Sequence, residues 1–368
     1  MNILLCSDKF KGSISAKGVC EALLEGLKEV NKDILITSIP MADGGDGSIA
    51  ILKELIDLKR KILSTVDPLG RPMEGEYYHS DDSAYIELAT ASGLVLLKDE
   101  ERNPMHTSTR GTGILIKDAI ASGFKNIYLF IGGSATNDGG IGIAHELGFQ
   151  FLVDTGGQIA PIGGNLIHID RLNKESAIDL EEVHISIFCD VTNPMFGPNG
   201  AARVYAKQKG ASPEEIQTLD KGLVNLAKLL EAHSGKKLSE MSGLGAAGAV
   251  SACLVALMRA ELKDGFQMMS KMTSLEETIR NSDIVITGEG KIDSTSFQGK
   301  VVGNVVQLCE KYKKKCGIVA GVIDDIDASG LVYQKSIMDL TNDTQKAMSQ
   351  PNQFLKAMGK EIANLFCS

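Results

Sequence analysis

The chain lacks paired cysteines. It has seven, an odd number, and none sits in a C-x-x-C pattern, which argues against both a disulfide framework and a zinc site. It also lacks long apolar runs. Ala246 to Met258, the longest nearly apolar stretch, is too short to span a bilayer, and Asp8 and Lys9 interrupt the opening run before it reaches signal-peptide length. A soluble, cytoplasmic protein in a reducing compartment is the expectation, with no membrane partner. Basic residues are outnumbered, 38 against 47 acidic, for a formal charge of −9, so no nucleic-acid partner is expected. No G-x-x-x-x-G-K-[ST] loop occurs, the six histidines show no paired ligand spacing, and no Ser-His-Asp or Cys-His set is visible. Repeats and low-complexity linkers are absent too.

What is present is an alternation of apolar β-rich runs with helical patterns, the signature of an α/β protein with a mainly parallel sheet. Strands are expected at Asn2 to Cys6, Ile34 to Ile39, Asn126 to Ile131, His184 to Cys189, Asp283 to Thr287 and Cys316 to Ala320. Helices are expected at Ala16 to Val30, Ile49 to Leu58 and Gly111 to Ser122. At 368 residues the chain suggests two domains and therefore a cleft. Three short runs, Lys61 to Val66, Gly75 to His79 and Ala84 to Leu88, break the alternation as an antiparallel meander between turn residues. They point to a second α/β domain, residues 44–239, inserted into a first made of residues 1–43 and 240–368, with the active site expected between the two.

Ligands of open α/β sheets bind beyond the carboxyl ends of strands, and each expected strand ends in polar or glycine-rich sequence. The densest ending is Ile127 to Gly142, I-Y-L-F-I-G-G-S-A-T-N-D-G-G-I-G. Glycines such as Gly132 and Gly133 let the backbone approach a bound group; Ser134, Thr136, Asn137 and Asp138 add hydroxyls, an amide and a carboxylate. Strand, loop and helix N-terminus together suit a phosphate, although a ligand-free tight turn uses the same residues.

The first ending, S-D-K-F-K-G-S, offers Asp8, and Lys11 for an anionic group, unless Lys11 is merely solvated. The second, P-M-A-D-G-G-D-G-S, places Asp43 and Asp46 among glycines, where they could hold magnesium or accept a proton from a hydroxyl; an Asp-Gly turn is the plainer reading. The fourth gathers Asp190, Thr192 and Asn193 in C-D-V-T-N-P. The fifth, T-G-E-G-K-I-D-S-T-S-F-Q-G-K, packs Glu289, Lys291, Asp293 and Lys300 beside Gly288 and Gly290, a mixture suited to a nucleotide or metal loop. Gly243, Gly245 and Gly248 match G-x-G-x-x-G without a convincing strand before them, though they could open a helix over Ala246 to Arg259 toward a phosphate. Arg110 in S-T-R-G-T-G is either a helix start or a carboxylate clamp. Glycine loops, several acids and few basic groups favour phosphoryl transfer, which needs positioning and charge neutralisation more than a protein nucleophile.

Six ordered blocks, D-x-F-K-G-S-x-S-A, P-x-A-D-G-G-x-G, S-x-R-G-T-G, G-G-S-A-T-N-D-G-G-x-G, C-D-V-T-N-P and T-G-E-G-x-I-D-x-x-x-x-x-G-K, resemble the bacterial glycerate kinases that phosphorylate D-glycerate with ATP. The resemblance covers nearly the whole chain. It implies a Rossmann-like (flavodoxin-like) domain interrupted by one related to the restriction-endonuclease-like fold, with ATP and magnesium as cofactors and 2-phosphoglycerate, more often than 3-phosphoglycerate, as product. On that footing the 132–142 and 288–300 loops hold nucleotide phosphates, through Gly132, Gly133, Ser134, Thr136, Asn137, Asp138, Gly288, Gly290, Lys291 and Lys300. Asp46, Glu289 and Asp293 are the metal candidates; Asp8, Lys11, Asn193 and Arg110 the substrate candidates; Asp43 or Asp190 the base. The chain departs from the family's usual Pro-Asp-Ser in having Ser7, Asp8 and Lys9, and carries Asp46 where glutamate is common. Small molecules are the expected partners, with a homodimer left open. The competing readings are a dinucleotide-dependent oxidoreductase and a non-catalytic sugar-acid-binding protein.

Overall fold

A computed structural model describes every residue except Asp46, Gln298, Asp325, Asp327, Ala328, Cys367 and Ser368, together with the side chain of Thr295. In chain order the strands are β1 (Asn2–Leu5), β2 (Leu35–Ser38), β3 (Lys59–Val66), β4 (Pro72–Ser80), β5 (Ser83–Glu87), β6 (Asn126–Phe130), β7 (Gln150–Leu152), β8 (Arg171–Asn173), β9 (His184–Phe188), β10 (Glu261–Lys263), β11 (Ile284–Ile292), β12 (Lys315–Ile323) and β13 (Leu331–Ser336). They divide between two compact units, residues 1–43 with 265–368, and residues 44–264.

The first unit is built on a sheet ordered β13-β12-β11-β1-β2, parallel throughout. Counted along this unit alone the order is 2-1-3-4-5, the flavodoxin-like winding, whose switch point lies between β1 and β11. The helix Ala16–Val30 begins where Ser15 Oγ accepts from Gly18 N at 3.1 Å, satisfying one of the amides a helix start leaves orphaned. Val19, Cys20, Leu23 and Leu27 form its buried stripe, spaced three and four apart as a core-facing helix requires. That stripe joins Ile3, Leu5, Ile284, Ile286 and Val319 in the core. On its other flank lies the helix Pro351–Phe366, and here two glycines let the backbones touch. A Cβ on Gly26 would stand 2.0 Å from Lys356 O, and one on Gly359 would stand 2.3 Å from Leu23 O.

The second unit carries a six-stranded mixed sheet, β10-β9-β6-β5-β4-β3. The expected meander is its antiparallel part, β3 to β4 to β5; β5, β6, β9 and β10 run parallel. Asp67 closes the β3–β4 turn, its Oδ1 accepting from Leu69 N and Arg71 N, each at 2.9 Å, as an aspartate in a tight turn commonly does. Tyr77, Ile86, Leu129 and Ile187 lead the core under this sheet. A separate hairpin pairs β7 with β8.

Three expectations need correction. The chain returns to the first unit at Gly265, not near residue 240, because β10 adds in parallel to β9 and keeps residues 240–264 with the second sheet. β11 runs on through the glycines to Ile292, paired to β12 as far as Ile323, so Gly288 and Gly290 lie in a strand rather than a loop. The helix expected over Ala246 to Arg259 is confined to Ser251–Leu257. Ahead of it Ala247, Gly248 and Ala249 all hold positive φ, 51°, 72° and 63°, a conformation that stops helix propagation and is costly for alanine.

Candidate active site

In the first unit the sheet's own hydrogen bonding delivers three carboxylates to the switch point. Past β1, Asp8 N donates to Gly288 O at 2.9 Å; past β2, Met41 N donates to Ser7 O at 2.9 Å, carrying the chain toward Asp43. Asp8 and Glu289 thereby flank the β1–β11 junction and Asp43 stands near enough to act on both. Burial raises the Asp8 pKa well above the usual carboxylate range, and the charges of Asp43 and Glu289 raise it further, against the hydrogen bond from Lys9 N. Glu289 is only 6% exposed, and its Oε1 has no hydrogen-bond partner among the described residues. Its pKa is raised by burial, then by Asp43 and Asp293, while Ser296 and Lys300 act the other way. A buried carboxylate oxygen without a donor costs free energy unless something else satisfies it.

The glycines here serve close packing. A Cβ on Gly288 would meet Val319 O at 2.2 Å, and one on Gly290 would come within 3.2 Å of Lys11 N, so Gly290 is what lets the Phe10–Lys11 segment lie along β11. Lys11 is exposed. Lys300 sits at the N-cap of the helix Val301–Lys311. Lys291, by contrast, is occupied with Asp324 at 2.9 Å and Asp293 at 3.4 Å on the surface. Asp46 lies outside the described residues. Among the described residues no group of three or more His, Cys, Asp or Glu is arranged to hold a metal ion.

The candidates of the second unit fare differently. Thr136, Asn137 and Asp138 are fully buried. Asp138 accepts from Thr109 N and Thr109 Oγ1 at 2.8 Å, Gly140 N at 3.1 Å and Gly142 N at 3.3 Å. Burial raises its pKa and these four bonds oppose the rise. This carboxylate holds the turn into the helix Ile141–Glu146. Only Gly132 and Gly133 of the loop are appreciably exposed, and no acceptor is assigned to either amide among the described residues. Gly245 and Gly248 turn out to be seats for other loops, a Cβ on them meeting Pro194 O at 2.3 Å and Thr136 O at 2.0 Å.

Arg110 Nε donates to Glu146 Oε1 at 2.7 Å, which ties the expected carboxylate clamp to its own unit. Asn193 spends both ends of its amide on the β9 loop: Nδ2 donates to Asn199 O at 2.8 Å and Oδ1 accepts from Tyr205 at 2.7 Å. Asp190 lies close enough that its charge adds to burial in raising the Tyr205 pKa.

Sequence reading missed three participants. Glu87, at the end of β5, accepts from Gly47 N at 2.9 Å and Ile49 N at 3.1 Å and so anchors the glycine segment after Asp43. Thr109 supplies two of the Asp138 bonds. Lys209, buried in a short helical turn, donates from Nζ to Ser134 Oγ and Thr136 O, each at 2.7 Å. Burial lowers its pKa to about 7, with the charge of Asp138 opposing that fall. Pairing across more than 70 residues leaves no local signal, and Lys209 sits in the polar run Lys207-Gln208-Lys209-Gly210, which reads as a solvated turn.

A flavodoxin-like sheet with acids at its switch point, carrying a second α/β unit between its second and third strands, defines a two-unit α/β enzyme. Comparison with known proteins narrows this: residues 3–367 match the Glycerate kinase family, and the chain belongs to it. It is 39% identical over 342 residues to the glycerate 2-kinase of Escherichia coli K12, covering 92% of this chain and 89% of that one. It is 36% identical to a glycerate kinase of Halalkalibacterium halodurans, over 98% and 97% of the two chains. A solved structure titled as a glycerate kinase 2 from Salmonella typhimurium LT2 superposes with a TM-score of 0.80 at 34% identity, covering 100% of this chain and 98% of that one. The chain is therefore a kinase, with ATP implied as co-substrate.

Proposed function

We propose that the chain transfers the γ-phosphoryl group of ATP to the 2-hydroxyl of D-glycerate, giving 2-phosphoglycerate and ADP. The observation that carries this reading is the convergence of Asp8, Asp43 and Glu289 on the β1–β11 switch point, joined to the likeness to a glycerate 2-kinase over most of both chains. In the first unit Asp43 is the general base for the hydroxyl proton, Asp8 and Lys11 hold glycerate, and Lys300 serves a nucleotide phosphate; in the second unit, taken by itself, the Gly132–Gly133 amides are the donors proposed for a nucleotide phosphate. Asp190 is left to the β9 loop, where its charge falls on Tyr205.

The donor set fits magnesium. It is all oxygen, the Glu289 Oε1 is unsatisfied, and Mg²⁺ keeps several waters and needs only one or two carboxylates beside substrate phosphates, so a three-residue cage is not required. Glu289 and Asp293 would hold the ion, which when bound neutralises the charge developing on the transferred phosphoryl group.

A coupled assay with D-glycerate, ATP and magnesium, in which enolase receives the product without phosphoglycerate mutase, tests the proposal. Signal without the mutase supports the 2-hydroxyl, signal only with it transfers the reaction to the 3-hydroxyl, and absence of glycerate-dependent ADP defeats the substrate assignment.

A further inference from the structure

Among the described residues Lys209 has no carboxylate within ion-pair distance; both of its assigned acceptors, Ser134 Oγ and Thr136 O, are neutral. An ammonium in a dry core is expensive, and an apolar side chain of similar volume would usually leave the fold as stable or more so. What the lysine adds is therefore local. It fixes the glycine loop at Ser134, 7% exposed, between half-buried Gly132 and Gly133 and fully buried Thr136. Because Ser134 Oγ accepts from Lys209, its own proton must point elsewhere, and among the described residues no acceptor for that proton is assigned. A hydroxyl that accepts a hydrogen bond is also a stronger donor, since hydrogen bonds in series polarise one another. The adjacent Gly132 and Gly133 amides likewise have no acceptor assigned among the described residues.

We infer that Lys209 is a positioning residue that aims the Ser134 hydroxyl at an anionic oxygen of the nucleotide, beside the amides of Gly132 and Gly133. The inference rests on the proposed role of this loop in nucleotide binding and names the residue that makes it competent. Asp138 is the charged group whose field reaches Lys209; Cys253, which also feels Asp138, is held as a neutral thiol by burial.

The test is a double-mutant cycle with ADP and magnesium as the probe, read by calorimetry, alongside steady-state KM for ATP and for glycerate and thermal unfolding of each protein. Ser134→Ala, which removes one hydroxyl, and Lys209→Met are each expected to weaken ADP about tenfold, the cost of one charge-assisted hydrogen bond, with the glycerate KM within threefold of the parent. If Lys209 acts through Ser134, the double variant also loses about tenfold rather than a hundredfold. Independent, multiplying losses would overturn the inference. So would a folded Ser134→Ala protein that binds ADP within twofold of the parent, a result that needs no lysine variant to fold. Failure of the unmodified protein to bind ADP would instead overturn the functional reading beneath it.

Discussion

Asp138 and Glu289 are both buried carboxylates in glycine-rich sequence, yet their surroundings are opposite. Asp138 has four donors and completes a turn; Glu289 keeps an oxygen with none and feels the neighbouring acids Asp43 and Asp293. Composition and spacing do not separate them. What separates them is whether the protein itself satisfies the charge: where it does, the acid serves the fold, and where it does not, the acid is stored at a cost that a ligand can relieve.

That contrast is broken most severely by exchanging the two outcomes. Asp43→Asn, beside Glu289, is expected to lower kcat by about 10²- to 10⁴-fold, the range of a lost general base, while leaving the unfolding temperature nearly unchanged; a stability loss with normal kcat would put Asp43 in the structural class. Next, Asp138→Ala should destabilise by about 3 kcal/mol, because several buried donors lose their acceptor at once. Chemical denaturation measures it, and a loss below about 1 kcal/mol would show that the cap is dispensable. Glu289→Gln should show the reverse signature, stability equal to or up to about 1 kcal/mol above the parent with activity strongly reduced.

The sharpest comparison is with pH. The Asp8 and Glu289 pKa values are raised, so above the ordinary carboxylate value the unfolded chain has released protons that the native one retains. Stability they lend at low pH is therefore lost as pH rises through their native values. Lys209 is lowered to about 7, so its contribution is present above the unfolded value near ~10.4 and is lost as pH falls toward 7. Denaturation across pH should show the first slope diminished in Glu289→Gln and the second removed in Lys209→Met; unchanged slopes would mean that these groups do not titrate as their burial implies. The smallest effect belongs to Glu87→Gln, expected to cost about 1 kcal/mol through the weakened cap at Gly47 and Ile49, again by denaturation.

Much of the fold was legible because its signals are local. The expected strand at Asn2 to Cys6 is β1, the run at Cys316 to Ala320 lies within β12, and the three turn-bounded runs form the antiparallel meander. β13 escaped, its exposed edge sequence L-V-Y-Q-K-S lacking a continuous apolar run, as did the three-residue β10 that moves the boundary to Gly265. Asp8 and Asp43 were identifiable as residues past strand ends, since a parallel sheet sends all such endings one way; Glu289 was found by the same argument although it lies inside β11, which runs on to Ile292. The burial of Thr136, Asn137 and Asp138 was not identifiable, because a ligand loop and a ligand-free turn need the same glycines, and the side chains packed against them, Thr109 and Lys209, are far away in sequence.

The order of assembly follows from one pairing in the first sheet. Ile3 lies opposite Ile284, so β1 and β2 leave a ribosome long before the strand that holds them, whereas the second unit, residues 44–264, is contiguous and its strands emerge together. Contacts between residues this far apart in sequence are slow to form, and contiguous units are completed first during synthesis. The inserted unit can thus be folded while the first 43 residues still wait, with apolar Ile3, Leu4 and Leu5 uncovered. Until β11 emerges and pairs with β1, the nascent chain exposes a strand edge at risk of pairing with a neighbour; the glycine-seated packing of Pro351–Phe366 against Ala16–Val30 comes last.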